Sequence, residues 1–148
     1  MNVAFFLLPK ESVVTLSPKS TLRQALERMD RHGYTAVPLV DDEGRYMGAI
    51  TEGDLLFMMK GNPDLKFSDT HRVYLKDIPQ RRKVEPVRID AQMDNLIKLV
   101  VSQNFVPVID DTGVFIGIVR RSDIIEYFFQ KTDIQNNGGN RTSIDGIG

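Results

Sequence analysis

Two short segments of the chain carry the side chains best suited to bind an anionic ligand. In the first, Thr51 and Asp54 lie at the expected start of a helix, where backbone amides and the helix dipole favour phosphate. In the second, Arg120, Arg121 and Asp123 lie at an equivalent helix start, and guanidinium groups form paired hydrogen bonds with phosphate oxygens. The sequence has no accompanying nucleophile–base constellation and no phosphate loop, so these residues predict binding, with no catalytic residues.

The elements that position these side chains occur twice in the 148-residue chain. Residues 38–42 and 48–54 recur 69 positions later as residues 107–111 and 117–123, without a gap. A repeat of this length predicts a fold that is built twice, with function where the copies meet. Six identities fall in register: Pro38/Pro107, Asp41/Asp110, Asp42/Asp111, Gly44/Gly113, Gly48/Gly117 and Asp54/Asp123.

Each copy has the pattern of a β-α-β-β-α unit, which predicts the α/β (α+β) class. The first copy is expected to form strands at 13–16, 36–40 and 46–50 and helices from 22 and at 54–60. Gly33 is predicted to close the first helix in the left-handed conformation, and Asn104 to do so in the second copy, where Asp90 is the predicted N-cap. The apolar stripe of the first helix recurs 71 positions later, as Leu22, Ala25, Leu26 and Met29 and then Met93, Leu96, Ile97 and Val100.

The two copies differ between the first helix and the strand that follows it. The first copy has the four residues 34–37 at this point, whereas the second has only Phe105 and Val106, so the offset falls from 71 to 69. We therefore expect two binding positions of different shape.

Composition excludes several classes of protein. Lys and Arg number 19 against 20 Asp and Glu, and this balance argues against a nucleic-acid partner. The absence of cysteine excludes disulfides and Cys-based zinc sites and predicts a cytoplasmic setting. The two histidines, His32 and His71, are far apart in sequence, so no metal site is predicted. The apolar stretch 3–8 is too short to span a membrane and is expected to pack on the core.

The chain divides into four predicted regions. Residues 1–60 form an N-terminal segment and the first repeat, 61–84 a polar connector, 85–130 the second repeat, and 131–148 a flexible polar tail. The connector ends in a basic run that is either a solvated surface or a supporting phosphate contact, formed by Lys76, Arg81, Arg82 and Lys83.

The two copies, over residues 10–130, resemble a tandem pair of cystathionine-β-synthase (CBS) domains, known as a Bateman module. The resemblance lies in the strand ends 37–41 and 106–110 and in the segments 48–54 and 117–123. It implies two CBS repeats packed with pseudo-two-fold symmetry and an adenine nucleotide bound in the clefts between them. It implies that Asp54 and Asp123 accept hydrogen bonds from ribose hydroxyls and that Thr51 contacts ribose or phosphate. It also implies an adenine frame formed by the backbone of Thr35, Ala36, Val37 and Pro38 and of Phe105, Val106 and Pro107.

The second copy departs from the family pattern because Arg120 stands where the first copy has Thr51. This predicts an asymmetric pair of sites, ribose-type at the first copy and phosphate-rich at the second. The size and the arginine pair are similar to those of small stand-alone bacterial CBS proteins that sense cyclic di-AMP, and AMP, ADP or ATP would also suit the arginines. Two alternatives stay open: Asp54 and Asp123 can be plain helix caps, and Arg120 and Arg121 can pair with nearby carboxylates.

The expected partners follow from the same resemblance. Tandem CBS pairs usually dimerise, so a homodimer is expected, with an unknown downstream protein. The predicted contact is apolar and consists of Leu55, Leu56, Met59, Ile124, Ile125 and Phe128. The competing function is a ligand-free scaffold that acts through dimerisation or through a docked partner.

Overall fold

The computed structural model describes the backbone of residues 1–145 and the side chains of residues 1–137. The first repeat consists of α1 (Leu22–His32), the antiparallel hairpin of β2 (Ala36–Val40) and β3 (Tyr46–Thr51), and α2 (Glu52–Gly61). Helix α1 begins in a capping box in which Thr21 and Gln24 exchange hydrogen bonds, and it ends at Gly33, whose φ of 67° is left-handed as predicted.

The second repeat repeats this order and adds the N-terminal segment. Its sheet has the order β1-β6-β5-β4, in which β1 (Leu8–Pro9) pairs with β6 (Phe115–Arg120), and β5 (Phe105–Ile109) pairs with β4 (Val87–Arg88). Helix α3 (Met93–Val100) packs on this sheet, and α4 (Arg121–Asp145) follows β6 directly. The apolar N-terminus therefore docks on the second repeat.

Each repeat has its own apolar core, and the two predicted helical stripes face these cores. Leu22, Ala25 and Met29 are buried in the first core, and Leu96 and Val100 are buried in the second. The N-terminal segment contributes Val3 and Phe6 to the second core, which explains why this short stretch is apolar.

The two repeats meet at their hairpin turns with pseudo-two-fold symmetry, which confirms the predicted arrangement. The amide of Tyr46 donates to the carbonyl of Gly113 at 3.1 Å, and the amide of Phe115 donates to the carbonyl of Gly44 at 2.9 Å. Because the residues of these two bonds are related by the 69-residue offset, the local symmetry axis passes between Arg45 and Val114, which form the bridge.

Some local predictions differ from the structure. The strand expected at 13–16 is reduced to a single bridge between Leu16 and Leu39, because only Leu16 bonds to β2. Asp90 does not cap α3, whose N-cap is Gln92, since the Asp90 carboxylate is paired with Arg88 at 3.0 Å. Asn104 is not left-handed, because α3 ends four residues earlier, at Val100, in a turn closed onto the carbonyl of Leu99.

Beyond residue 130, where the second repeat is predicted to end, the chain is helical. Helix α4 continues through this point to Asp145, and the Thr132 hydroxyl donates to the carbonyl of Phe128, one turn earlier. No proline follows Pro107 in the sequence to interrupt the helix. Residues 146–148 of the predicted tail lie outside the described residues.

Candidate functional site

Two clefts lie between the repeats. The larger has a volume of about 980 Å³ and lies between the start of α2, the end of the connector and the loop before β5. The smaller has a volume of about 280 Å³ and lies beside the start of α4, the loop before β2 and the segment 12–14. The clefts differ in size and lining, and both fall near the range of about 300–1,000 Å³ that is typical of small-molecule sites.

A shared wall of four residues separates the two clefts. Thr35 and Ala36 from the first repeat, and their equivalents Asn104 and Phe105 from the second, line both spaces. The carbonyl of Thr35 accepts from the amide of Glu52, and the carbonyl of Asn104 accepts from the amide of Arg121 in the equivalent bond. These bonds tie Thr35 and Asn104 to the helix starts of their own repeats.

The other residues of the predicted adenine frame have different positions. Pro38 lines the smaller cleft. Val37 and Val106 are fully buried in the two apolar cores. Pro107, which follows Val106 in β5, is also buried. The alternation of a β-strand explains this division, because successive side chains point to opposite faces.

Thr51 and Asp54 form the capping box of α2 at the floor of the larger cleft. The Thr51 hydroxyl accepts from the amide of Asp54 at 3.2 Å, and Asp54 Oδ2 accepts from the amide of Thr51 at 2.9 Å. Asp54 Oδ1 accepts from the amide of Arg81 at 2.9 Å, and the side chain is only 2% exposed. Asp54 is therefore a helix cap that also holds the connector, and it lines the cleft.

The second copy has an ion pair at the equivalent position. Arg120 donates from Nε and Nη2 to the two carboxylate oxygens of Asp123, at 2.8 and 3.1 Å. This pairing with Asp123 raises the pKa of Arg120 above its ordinary value. Arg120 lines the smaller cleft, whereas Arg121 donates to the carbonyl of Gln103 at 3.1 Å. Neither Arg121 nor Asp123 is among the residues that line the two clefts.

The end of the connector makes the larger cleft the more basic one. Arg81, Arg82 and Lys83 all line it, together with the carboxylates of Glu52 and Asp54. The Arg81 guanidinium lies over the ring of Phe57 at 3.6 Å, which fixes a planar cation on the cleft wall. The structure thus places three cations beside the first copy, where the sequence predicts a ribose-type site.

Several lining residues were not identified from the sequence. Phe57, Val84 and Gln103 line the larger cleft, and Val14 and Tyr34 line the smaller one. One sequence signal could have found part of this set, because residues 12–14 and 83–85 are related by the 71-residue offset of the helical stripes. The structure shows that each segment closes one cleft.

No cluster of metal-ligating side chains occurs among the residues whose side chains are described. Within the same part of the chain, no helix is both long enough and apolar enough to cross a membrane.

Comparison with known proteins agrees with this architecture. The sequence model of the CBS domain matches residues 7–61 and 75–130. The chain therefore belongs to the CBS-domain family and carries the domain twice.

Three known proteins illustrate the similarity. An uncharacterized protein from Methanopyrus kandleri is 31% identical over 122 residues, and this chain spans only 58% of its length while 79% of this chain is matched. The CbpB protein of Listeria monocytogenes in complex with c-di-AMP matches with a TM-score of 0.78 at 21% identity, covering 89% of this chain and 98% of that one. CBSX2 in complex with AMP matches with a TM-score of 0.72 at 22% identity, covering 88% of this chain and 98% of that one. At these identities, the two structures show a shared fold.

Proposed function

We propose that this protein is a non-catalytic regulatory module that binds an adenine nucleotide in the larger cleft between its two CBS repeats. The bound ligand contacts both repeats and shifts the equilibrium between arrangements of the pair or its oligomer. The complexes of CbpB with c-di-AMP and of CBSX2 with AMP support this class of ligand.

The observation that carries the proposal is the combination of groups in the larger cleft. Apolar surface from Ala36 and Phe105 is suited to a flat base, and the cations of Arg81, Arg82 and Lys83 in the same cleft are suited to phosphate. The start of α2, a ten-residue helix, opens into the same space and adds its dipole.

We assign the ribose to the floor of this cleft. Each carboxylate oxygen of Asp54 accepts one backbone hydrogen bond and retains a second acceptor position for a hydroxyl group. The Thr51 hydroxyl accepts from Asp54 and keeps its own proton to donate to a ribose or phosphate oxygen.

The smaller cleft is the second candidate position. Its Tyr34 ring is suited to stack on a base, and Arg120 is half-exposed despite its pairing with Asp123. A phosphate there competes with Asp123 for the guanidinium, so we assign weaker binding to this cleft than to the larger one.

We further propose that the protein is a homodimer. Of the six apolar residues predicted for the contact, Leu55 and Ile124 are buried in the cores, and the other four are exposed. The exposed four, on α2 and α4, are Leu56, Met59, Ile125 and Phe128.

A thermal-shift panel tests the proposed ligand class, because a ligand that binds only the folded state raises the unfolding temperature. The chain is heated with adenosine, AMP, ADP, ATP and c-di-AMP, with GTP as the control for the base. We expect a saturable increase for at least one adenine nucleotide and a smaller one for GTP. Equal responses to ATP and GTP, or no response to any adenine compound, would contradict the proposal.

The exposed apolar residues on α2 and α4 favour one competing function, a ligand-free scaffold that acts through its dimer. Under this alternative, no adenine compound changes the unfolding temperature, while disruption of the dimer abolishes the output.

A further inference from the structure

Resting on the proposed function, we infer that the larger cleft selects adenine nucleotides with two or more phosphate groups. The residues that make this selection belong to the end of the connector, residues 80–84, which we call the connector strap. They are Arg82 and Lys83, whose guanidinium and ammonium groups bind the additional negative charge.

The connector strap is a fixed part of the cleft wall. Gln80 Nε2 donates to the carbonyl of Met47 at 3.1 Å, and the Tyr46 hydroxyl donates to the carbonyl of Val84 at 2.6 Å. Between these two bonds, the Arg81 amide donates to Asp54. The strap is therefore bound to the first repeat through the Gln80 side chain, the Arg81 amide and the Val84 carbonyl, so Arg82 and Lys83 start from set positions.

The residue that follows the strap, Glu85, is bound to the loop before β5. The side chain of Gln103 accepts from the amide of Glu85 at 2.8 Å and donates to the carbonyl of Glu85 at 3.0 Å. Gln103 lines the same cleft, so these two bonds fix the part of the cleft wall that lies next to the strap.

Charge in the cleft favours more than one phosphate. Arg81 is stacked on Phe57, and its amide faces Asp54, whereas Arg82 and Lys83 are exposed side chains on the cleft lining. Asp54 is already the acceptor of two backbone amides, which offset its charge locally. No ion pair holds Arg82 or Lys83 among the described side chains, and a second phosphate group offers them acceptor oxygens beyond those of a first phosphate.

The equivalent segment of the first repeat does not carry this charge. Residues 10–13 correspond to 81–84 by the 71-residue offset and contain Lys10, Glu11 and Ser12 in place of two arginines and a lysine. Just before residues 10–13, the backbone of Leu8 pairs with β6 and leaves no room for a Cβ at Gly117, as the Gln80 side chain of the strap leaves none at Gly48 in β3. Both glycines are thus covered by chain at or next to these segments, and the run of three basic side chains is specific to the larger cleft.

Isothermal titration calorimetry of the full chain tests this inference. The ligands are adenosine, AMP, ADP, ATP and c-di-AMP, where ADP and ATP represent linear phosphates and c-di-AMP a cyclic dinucleotide. We expect the Kd to fall about tenfold or more from AMP to the tightest of the last three, which corresponds to one additional charge-assisted contact.

The variant that removes the proposed readers is Arg82→Ala with Lys83→Ala. We expect it to raise the Kd of the tightest-binding ligand about tenfold or more and the Kd of adenosine less than about threefold. The matched control is Lys10→Ala with Lys60→Ala, which removes the same net charge at exposed positions outside the larger cleft. The control should bind like the unaltered chain, and all three proteins should share one unfolding temperature.

Different failures have different meanings. If AMP binds as tightly as ADP, ATP and c-di-AMP, the inference is wrong and the proposed function stands. The same holds if the strap variant raises the Kd of adenosine as much as that of the phosphorylated ligands. If the control weakens binding equally, the effect is that of net charge and the inference is also wrong. If no adenine compound binds the unaltered chain, the proposed function and the inference both fall.

Discussion

The backbone amide of Arg81 donates a 2.9 Å hydrogen bond to Asp54 Oδ1, which joins the connector to the helix start at the floor of the larger cleft. The Asp54 carboxylate therefore both caps α2 and fixes the position of the basic strap. Asp123, the repeat equivalent of Asp54, is instead paired with the side chain of Arg120. The two aspartates that look identical in the sequence are therefore expected to respond differently to substitution.

Replacement of Asp54 tests this difference directly. Asp54→Ala leaves the part-buried amides of Thr51 and Arg81 without an acceptor, so the free energy of unfolding should fall by about 2–3 kcal/mol. Asp123→Ala removes only a partly exposed ion pair and should cost less than about 1 kcal/mol. Urea denaturation of both variants measures the two values, and equal losses would contradict the assigned roles.

Replacement of the two repeated glycines tests the crossing segments. Gly117→Ala places a Cβ against the backbone carbonyl of Leu8, whereas Gly48→Ala places it against the movable end of the Gln80 side chain. Gly117→Ala should therefore be the more destabilising change and should release β1, which limited proteolysis after Lys10 detects. Gly48→Ala also strains a left-handed backbone with φ of 95° and should cost about 1–3 kcal/mol.

Addition of Gln80→Ala to Gly48→Ala provides the control. Removal of the overlapping amide should recover part of the lost stability, and the backbone strain should account for the remainder. No recovery would show that Gln80 does not cross Gly48 in the way described.

Tyr46 predicts a dependence of stability on alkaline pH. Burial, with a smaller effect from Glu85, raises the pKa of the Tyr46 phenol well above its ordinary value near 10. The folded state therefore keeps a proton that the unfolded state loses above about pH 10, so this contribution to stability is complete below that pH and declines above it. Absorbance titration should show one of the four tyrosines ionising only upon unfolding.

Tyr46→Phe is the matched variant for this prediction. It should lose about 1 kcal/mol at neutral pH, because the carbonyl of Val84 loses its donor, and it should show a shallower decline above pH 10. An unchanged slope would assign the alkaline decline to other groups.

The oligomeric state is tested on the exposed faces of α2 and α4. Leu56→Glu with Ile125→Glu places two charges in the proposed dimer contact and should yield a monomer in sedimentation velocity. Val101→Glu, at an exposed apolar residue at the end of α3, is the control and should leave the dimer intact. A monomeric unaltered chain, or dissociation by the control, would contradict the proposed contact.

Much of the fold could be predicted from the sequence because its signals are local. The stripe of Leu22, Ala25 and Met29 follows helical periodicity, and the turn that ends in Gly44 needs a positive φ, which the structure has at 82°. The 69-residue repeat then predicted the pairing of copies, which the reciprocal bonds at Gly44 and Gly113 confirm.

The lining of the clefts could be predicted only in part, because it depends on contacts between segments that are distant in the sequence. Gly48 and Gly117 were recognised as identities, but the chains that pass over them are 32 and 109 residues away in sequence, at Gln80 and Leu8. The charge of the larger cleft follows from the crossing at Gln80, since it brings Arg82 and Lys83 to the first repeat. The pairing of Arg120 with Asp123 was open from the sequence, and side-chain geometry decided it.

An NMR titration of the ¹⁵N-labelled full chain with ATP tests whether an adenine nucleotide binds in the larger cleft. We expect saturable shifts that are largest for the amides of Gly53, Arg82 and Asn104, which line this cleft from three different segments. Shifts that are confined to the outer faces of α2 and α4, or the absence of any saturable change, would contradict binding in this cleft.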